Sequence, residues 1–452
     1  MQDPAPITSR ILIGLVLCAT GMRGASLKAG VARADITPAG PIWMSGYAAR
    51  THPSDGTLTR LWAKALAFES CPGGRVVFVT VDLIGIPRSL SDEVAARVKR
   101  QYRWKRSELL LNASHTHTGP MVWPNLNNLA VLPPGEREKL VNYHRQLADA
   151  LVTVIGKAIG NLVPAIVEYG EGSVAFAANR RQPTPSGVKL GVNPDGPVDH
   201  AVPVLKIADA GGKVRAILLG YACHNTTLTA EIYQLSGDYA GFAAAALENL
   251  HPGATALFLM LCGADQNPNP RGTVELARQH GNTLAHEVDR ALAASMTPIN
   301  GPIRAVFKLT RLRLAPRTRK DFEAELQSPV PAQARRAALM LQSLEARKRI
   351  DVIDYPVQAV RFGHGLTVIA LGGEVTVDYA LRMEREYPGE PMVTAGYAND
   401  VMCYIPSARV LREGGYEPVE SMIYYGKAGP FAGDVEDRIF AMIHRVLKGV
   451  GR

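Results

Sequence analysis

The sequence is poor in cysteine, with five among its 452 residues. No two of them form a Cys-x-x-Cys pair, which excludes a zinc ribbon and a thioredoxin-type redox site. Cys71, Cys223, Cys262 and Cys403 are also too few for a disulfide scaffold in a chain of this length. The last three stand beside motifs described below, and we expect them to be small buried side chains near a packed site.

The sequence also lacks any dense block of Lys and Arg, although its formal net charge is +9, and only 6% of its residues are aromatic. Both features argue against nucleic-acid binding and indicate a generally basic protein. A basic surface is still compatible with peripheral contact to anionic membranes. We predict no nucleic-acid partner and no protein partner.

Long hydrophobic runs are absent beyond the N-terminal segment, so no later stretch predicts a membrane span. Near the start, Arg10 is followed by ILIGLVLCATGM and then by RGASLKAG. A basic start, a short apolar run and small residues predict a signal peptide over residues 1–25, cleaved near Ala25, and a secreted or periplasmic protein. Leu17 directly before Cys18 disfavours a lipoprotein.

The rest of the chain has ordinary globular composition, 47% hydrophobic and 20% charged, and no linker divides it. Apolar runs alternate with helical patterns, which predicts an α/β fold: a mixed β-sheet core flanked by α-helices. The predicted strands are 75–86, 107–113, 214–224, 255–263 and 366–373. The predicted helices are 90–102, 136–159, 239–250, 273–294, 378–386 and 434–447. Residues 317–350, helical on both sides of SPVPAQ, predict an exposed helical insertion.

Four of the predicted strands end in polar tails, SHTHTGP, CHNTTL, GADQNPNP and GEVTVDYA. Ligands of open α/β sheets collect outside the carboxyl ends of strands, so these tails predict one site there. His115 and His117 are two apart, and an extended backbone would point both imidazoles to the same face. Two histidines do not complete a zinc site, which needs three or four ligands.

His224 and Glu374 are the further candidates for metal ligands. Alone, His224 would ordinarily be a structural histidine, and Glu374 would ordinarily be a carboxylate at a helix N-terminus. Together with His115 and His117 they form a set typical of hydrolytic zinc, with a position left for water. Iron or manganese would also accept such ligands. A structural metal site is disfavoured, because such sites prefer a closed Cys/His set.

The motifs NASHTHTGP, YACHNTTL, GGE and AGYANDVMCYIPSARVLREGGYEP resemble the catalytic domain of neutral ceramidases. The opening AGVARADITP, the stretch SGDYAGFAAAALE and the position of ANRRQP are also similar to that family. The resemblance runs in the right order over most of the chain and implies one catalytic domain over residues 26–452. It implies a zinc amidase, with one Zn²⁺ per chain, that cleaves the N-acyl bond of ceramide.

The resemblance also implies roles for individual residues. The zinc ligands would be His115, His224, Glu374 and Tyr404. A second tyrosine, Tyr416, follows the ligand tyrosine at the family's spacing.

Three residues would act in catalysis by the same resemblance. His117 would transfer protons, since an imidazole titrates near neutral pH. Tyr416 would move protons or stabilise an oxyanion. Arg180 matches an active-site arginine and would hold developing negative charge, although Arg181 is its neighbour in the same motif.

The sequence departs from the family pattern in two places. A family serine falls on Asn267, which removes a covalent serine mechanism there and leaves attack by water, with Asn267 binding substrate through hydrogen bonds. Asp265 and Gln266 are expected to line the same loop. The immunoglobulin-like domain that follows in well-known ceramidases has no counterpart after the helix 434–447, so no second metal is expected.

The predicted function is therefore a secreted or periplasmic zinc-dependent amidohydrolase that acts on ceramide or a related N-acyl lipid by metal-activated water. One alternative is a zinc-dependent esterase or lactonase with the same ligands, which would differ only in the leaving group. Another is a secreted lipid-binding protein without catalysis, which would have no need for His117 and Tyr416.

Overall fold

The computed structural model describes residues 27–71 and 73–452. The predicted signal peptide, residues 1–25, lies outside them. The strands are β1 Leu27–Asp35, β2 Gly56–Thr57, β3 Trp62–Ser70, β4 Arg75–Val81, β5 Leu109–Ala113, β6 Val163–Ser173, β7 Ala177–Thr184, β8 Gly187–Asn193, β9 Ala201–Ala208, β10 Val214–Tyr221, β11 Gln234–Leu235, β12 Thr255–Met260, β13 Gln266–Pro268, β14 Thr297–Pro298, β15 Ile303–Arg313, β16 Val352–Phe362, β17 Leu366–Leu371, β18 Glu374–Val375, β19 Met392–Ala395 and β20 Tyr404–Ile405. The α-helices are α1 Arg88–Tyr102, α2 Glu136–Gly160, α3 Asp238–Leu250, α4 Val274–Ala293, α5 Arg319–Glu325, α6 Pro331–Glu345, α7 Asp378–Glu386, α8 Ala408–Glu413, α9 Ser421–Tyr424 and α10 Val435–Gly449.

Two mixed sheets form the centre of the fold. The larger has the order β12-β10-β9-β6-β1-β3-β4-β5, with β14 paired to β6, and the smaller has the order β15-β16-β17-β19. Parallel pairs occur at β4–β5, β10–β12 and β17–β19, and the other neighbours in both sheets are antiparallel. A third, small sheet, β13-β7-β8, lies beside the strand ends. The predicted mixed α/β fold is confirmed.

The apolar strands are buried on both faces, which explains why they contain hardly any polar residues. In β4, Val76 and Phe78 join a core between the two sheets, where Phe362 of β16 stacks at 6.3 Å from Phe78 between ring centroids. Val77 and Val79 point the other way into a core shared with α1 and α2. Helices α3 and α4 cover the other half of the large sheet, and α10 covers the small sheet.

The five predicted long strands and six predicted helices are all present. Helix α7 has the predicted bounds, while the predicted strand 75–86 ends at Val81 and the predicted strand 214–224 ends at Tyr221. Most of the extra residues, 82–86 and 222–224, are apolar or small, but they belong to loops that carry the site. Within residues 317–350 the chain forms α5 and α6, in the connection between the paired strands β15 and β16. No helix in the described ranges has the length and apolar character needed to cross a membrane.

The carboxyl ends of β5, β10, β12 and β17 lie close together, as the polar tails predicted. Asn112 connects the ends of β5 and β12. Its side chain accepts from the N–H of Met260 at 2.8 Å and donates to the carbonyls of Met260 and Gly396 at 3.2 and 2.8 Å. The short pair β18–β20 places Glu374 directly opposite Tyr404. Residues as far as 284 positions apart in sequence therefore converge on one place.

Candidate metal centre

The loop after β5 carries His115 and His117. Its backbone is not extended as predicted, because His115 has φ of 63°, in the left-handed region. The strand argument for the two imidazoles is therefore wrong, yet the rings still meet: His115 Nε2 and His117 Nε2 are 3.1 Å apart. A turn in the loop, rather than the pleat of a strand, brings them together.

Two histidines and one carboxylate converge in the buried interior. The Nε2 atoms of His115 and His224 lie 3.0 and 3.2 Å from the same oxygen, Oε2 of Glu374. The opposite nitrogen of each ring, Nδ1, lies against a backbone carbonyl, at 2.6 Å from Ile84 O and 2.8 Å from Gly263 O. All three side chains are at most 3% exposed.

These contacts determine which nitrogen of each ring carries the proton. A carbonyl oxygen only accepts hydrogen bonds, so Nδ1 of His115 and of His224 must be the donor. In the neutral rings Nε2 then has a lone pair, and both lone pairs face Glu374 Oε2, which has no hydrogen-bond donor among the described residues. Arg180 and the Tyr404 hydroxyl reach His224 Nε2, but no donor of the described residues reaches Glu374 Oε2, so this buried carboxylate oxygen facing two ring nitrogens is unfavourable unless a cation lies between them. The residues present therefore fit a metal ion.

His117 belongs to the same cluster. Metal-ligating atoms of His115, His117 and His224 all lie within 4.8 Å of one another, so these three buried histidines could hold a metal ion. His117 differs from the other two in its second nitrogen, since its Nδ1 has no hydrogen-bond partner in the described part of the chain. The division between His115 as ligand and His117 as proton carrier stays a prediction from the family resemblance.

Tyr404 and Tyr425 extend the cluster on the side of Glu374. The Tyr404 hydroxyl lies 3.3 Å from His224 Nε2, and its residue pairs with Glu374 across β18–β20. Tyr425 donates its hydroxyl to Glu374 Oε1 at 2.5 Å, which leaves Oε2 directed at the histidines. The predicted ligands His115, His224, Glu374 and Tyr404 are thus brought together.

The structure separates the two neighbouring arginines of β7. Arg180 Nη2 donates to the Tyr404 hydroxyl at 3.0 Å, and its Nη1 lies 3.2 Å from His224 Nε2. Arg181 instead donates to Glu413 and Glu417, away from the histidines. Arg180 is therefore the arginine that lies at the centre.

Tyr416 lies at the edge of the centre, in a short turn of π-helical form, Tyr416–Glu420. Its ring centroid is 5.6 Å from that of Tyr404, and the Arg180 guanidinium lies 5.5 and 5.7 Å from the two ring centroids. Arg180 is thus within cation–π range of both tyrosines. The predicted trio of His117, Tyr416 and Arg180 lies beside the predicted ligands.

Only one of the three predicted substrate contacts lies beside the centre. Asn267 is half-buried, with Oδ1 at 3.3 Å from Arg180 Nη1. Asp265 and Gln266 are fully buried: Asp265 accepts from the N–H of Val377 at 2.8 Å, and Gln266 contacts backbone atoms of Asp199 and Ala222. The expectation that these two side chains line the substrate loop needs correction, because their polar groups are directed into the protein.

Burial and mutual charge shift the titration of the cluster. Burial lowers the pKa of His224 to about 3, and the adjacent Arg180 acts in the same direction. Burial also lowers the pKa of His117 well below its usual value, with the neighbouring histidines adding to the effect. Burial alone would raise the pKa of Glu374, but His115 and His224 hold it well below its ordinary value. Neutral imidazoles and an ionised carboxylate are the forms that bind metal.

Several residues of the centre were not found from the sequence. Tyr425 gives no local signal, since a tyrosine after a short helical run is ordinarily structural. Glu417 follows Tyr416 directly in GGYEP, but nothing in the motif indicates that it reaches two arginines across the fold. The buried thiols of Cys223, Cys262 and Cys403, which are free of disulfides, agree with the expectation of small buried side chains beside the site.

Comparison with known proteins assigns this arrangement to a family. The family model described as "Neutral/alkaline non-lysosomal ceramidase, N-terminal" matches residues 27–283, more than half of the chain. The neutral ceramidase of Pseudomonas aeruginosa is 31% identical over 248 residues, which cover 52% of this chain and 36% of that protein. The neutral ceramidase of Drosophila pseudoobscura pseudoobscura is 27% identical over 270 residues, 56% of this chain and 37% of that protein.

The fold is also similar to a solved structure. The crystal structure of neutral ceramidase from Pseudomonas aeruginosa superposes with a TM-score of 0.70 at 22% identity, covering 93% of this chain and 75% of that chain. The similarity in sequence spans little more than a third of the length of the curated relatives.

Proposed function

The chain belongs to the neutral/alkaline non-lysosomal ceramidase family, and from that membership and the geometry of the metal centre we propose that it is a zinc-dependent amidohydrolase. Its proposed substrate is the N-acyl amide bond of ceramide or of a related N-acyl lipid. The observation that carries the proposal is the convergence of His115 Nε2 and His224 Nε2 on one oxygen of Glu374, with both Nδ1 atoms bonded to backbone carbonyls.

His115, His224, Glu374 and Tyr404 would hold the zinc ion. Zinc prefers nitrogen and oxygen donors of this kind, and backbone acceptors on the second ring nitrogen orient such ligands. A zinc ion held there supplies Lewis-acid polarisation of the acyl carbonyl and a nucleophile at neutral pH. The open, carboxylate-containing set suits catalysis better than a closed structural site.

The remaining residues would handle protons and charge. His117 would accept a proton at Nε2 and return it to the leaving amine, since its ring lies next to the ligands. Arg180 would stabilise negative charge that develops on the acyl oxygen, with Tyr416 contributing a hydroxyl on the same side. Both Arg180 and Tyr416 lie against Tyr404, so charge on the substrate would form within their reach.

Asn267 would bind the substrate rather than attack it. Its side-chain oxygen already accepts from Arg180 and Thr226 at 3.3 Å each, and its amide group can donate to a substrate hydroxyl or carbonyl. An amide side chain is not a nucleophile, so the proposed reaction proceeds by attack of water. We further propose that the mature protein is secreted or periplasmic and meets its lipid at a membrane surface.

The test is hydrolysis of a short-chain fluorescent ceramide by the purified mature protein, with and without a chelator. We expect release of fatty acid that the chelator abolishes and zinc restores. A paired N-acyl amide and ester with the same acyl chain separates an amidase from an esterase. Protein that contains about one zinc per chain but releases no acid from any of these substrates would remove the proposed activity while leaving the metal centre intact.

A further inference from the structure

The two neighbouring arginines of β7 reach the same carboxylate. Arg180 Nε donates to Glu417 Oε1 at 2.9 Å, and Arg181 Nη1 donates to Glu417 Oε2. The side chains of Arg180, Arg181 and Glu417 are 6%, 1% and 1% exposed. Each oxygen of a fully buried carboxylate thus receives one guanidinium.

The pairing of β7 with β8 is irregular beside the two arginines. Between the pairs Asn179–Asn193 and Arg181–Leu190, Arg180 alone in β7 faces two residues of β8, so the bulge lies in β8 opposite Arg180. A bulge bends and twists the paired strands and is frequent next to active sites. Consecutive side chains on a regular strand point to opposite faces, yet the long side chains of Arg180 and Arg181 both reach Glu417.

The guanidinium of Arg180 is held along one edge and acts along the other. Its Nε edge bonds to Glu417, while Nη1 and Nη2 reach Asn267, His224 and Tyr404. A guanidinium is planar and rigid, so fixing one edge fixes the direction of the other. Without Glu417, the long side chain of Arg180 would have no anchor on that edge.

Arg181 completes the arrangement by holding Glu417 and its turn. Besides Glu417 it donates to Glu413 at 3.0 Å and to the carbonyl of Gly414 at 2.8 Å. Gly414 and Gly415 have φ of 70° and 86°, conformations that suit glycine, and they lead directly into the turn Tyr416–Glu420. The turn that carries Tyr416 is therefore tied to β7 through Arg181.

We propose that Glu417 is a positioning residue that aims Arg180 at Tyr404 and the reacting acyl group, with Arg181 fixing Glu417 in place. This inference rests on the proposed function for its kinetic consequence. A buried ion pair is weak evidence for net stability, so the geometry that Glu417 imposes on Arg180 is the role that we assign to it. The role of Glu417 is thus orientation of another charge, since Arg180 lies between it and the metal ligands.

The kinetic test is a double-mutant cycle on the zinc-loaded protein with the amide substrate. Arg180→Met should lower kcat by roughly 100- to 1,000-fold, as loss of an oxyanion donor does. Glu417→Gln should lower kcat by roughly 10- to 100-fold, a part of that loss. If Glu417 acts through Arg180, Glu417→Gln should cost no more than about threefold in the Arg180→Met background, a strong non-additivity. Additive losses would overturn the proposal.

The chain offers a matched control in Glu248. Its carboxylate also bridges two cations, Lys64 at 2.7 Å and Arg33 at 2.8 Å, one on each oxygen, and makes no hydrogen bond or ion pair with the proposed ligands among the described residues. Glu248→Gln should leave kcat within about twofold when both variants are assayed below their melting temperatures. An equal loss of kcat in Glu248→Gln and Glu417→Gln would overturn the proposal, because Glu417 would then act only through the stability of the fold. If Glu417→Gln does not fold, Glu417→Asp, which keeps the charge but is one methylene shorter, takes its place in the cycle.

A substrate-free measurement separates failure of this proposal from failure of the proposed function. Amide hydrogen exchange in residues 415–421 and 178–182 should rise about tenfold in Glu417→Gln, with exchange elsewhere unchanged. If the wild-type protein has no amidase activity, the proposed function fails. The exchange result then still tests whether Glu417 anchors Arg180. Unchanged exchange in both segments would overturn the proposal that Glu417 anchors Arg180.

Discussion

At the scale of single residues, the metal centre depends on which nitrogen of each imidazole is protonated. The carbonyls of Ile84 and Gly263 fix Nδ1 of His115 and His224 as donors, so Nε2 faces inward as an acceptor. His117 Nδ1 has no such partner within the described residues. That difference distinguishes His117 from the other two histidines, and its proton-carrying role stays a prediction from the family resemblance.

The roles of the two neighbouring histidines lead to opposite expectations. His115→Ala should lose bound zinc and all activity, whereas His117→Ala should keep the zinc and lose kcat by roughly 100- to 10,000-fold, the range for a general acid–base group. Metal content by elemental analysis, with kcat on the same preparations, checks both variants. Loss of zinc in His117→Ala with retention in His115→Ala would reverse the assignment.

Tyr425 donates a hydrogen bond to Glu374, the predicted ligand carboxylate. Because its hydroxyl holds Glu374 Oε1, Tyr425→Phe should weaken zinc binding by roughly 10- to 100-fold, as loss of a hydrogen bond behind a ligand does. Chelator competition measures the dissociation constant without substrate. Tyr424→Phe, at the neighbouring half-buried tyrosine, is the control and should bind zinc as the wild type does. Equal affinities in all three proteins would show that Glu374 needs no such support.

At the scale of elements, the centre is built from loops that follow buried strands. β5, β10, β12 and β17 contribute His115, His224, Gly263 and Glu374 within three residues of their ends. The strands are rigid because both faces are packed, and the loops they carry inherit that rigidity. Cross-connections such as Asn112 to Met260 keep neighbouring strand ends in register.

Removal of the Asn112 connection should destabilise the fold. Asn112→Ala leaves the buried N–H and carbonyl of Met260 without this partner, and we expect a loss of about 2–4 kcal/mol in the free energy of unfolding. Urea unfolding followed by circular dichroism measures it. A loss below about 0.5 kcal/mol would indicate that the two strand ends are held by packing alone.

The loop after β12 contains a carboxyl group that should make stability pH-dependent. Burial raises the pKa of Asp265 from 3.8 to about 7, and the nearby Asp378 adds to the shift. The folded chain then binds the proton more tightly than the unfolded chain between about pH 4 and 7, so Asp265 costs increasing stability as the pH rises through that window. Asp265→Asn removes this dependence. The melting temperature of the variant, relative to that of the wild type, should therefore rise between pH 5 and pH 8. A difference in melting temperature that stays constant over this range would contradict the raised pKa of Asp265.

At the scale of the whole molecule, zinc should couple to stability because its ligands come from distant parts of the chain. A ligand that binds only the folded state stabilises it by about 2.7 kcal/mol at a concentration 100 times its dissociation constant. We expect a chelator to lower the melting temperature by several degrees and added zinc to restore it. Differential scanning calorimetry of the wild type and of His224→Ala provides the check. Zinc that shifts the melting temperature of both proteins equally would be bound somewhere else.

The sequence by itself determined the architecture and most of the residues of the candidate site. Strands that are buried on both faces have continuous apolar runs, and helices at the surface have apolar residues at a period of 3.6. These local patterns were enough to predict β4, β10, β12, β17 and α7. The polar tails at strand ends indicated where a site would form, because strand ends in α/β sheets face a common edge. The family resemblance then assigned roles to the individual residues.

Only the tertiary structure decided which side chains contact one another. The left-handed backbone at His115 is set by how its loop packs, and the contacts of Arg180 and Arg181 with Glu417 and the bond from Tyr425 to Glu374 join segments that are far apart in sequence. It also turned Asp265 and Gln266 inward, because their loop satisfies buried backbone groups. Sequence patterns record the periodicity of an element against a core, whereas these contacts depend on how the elements meet.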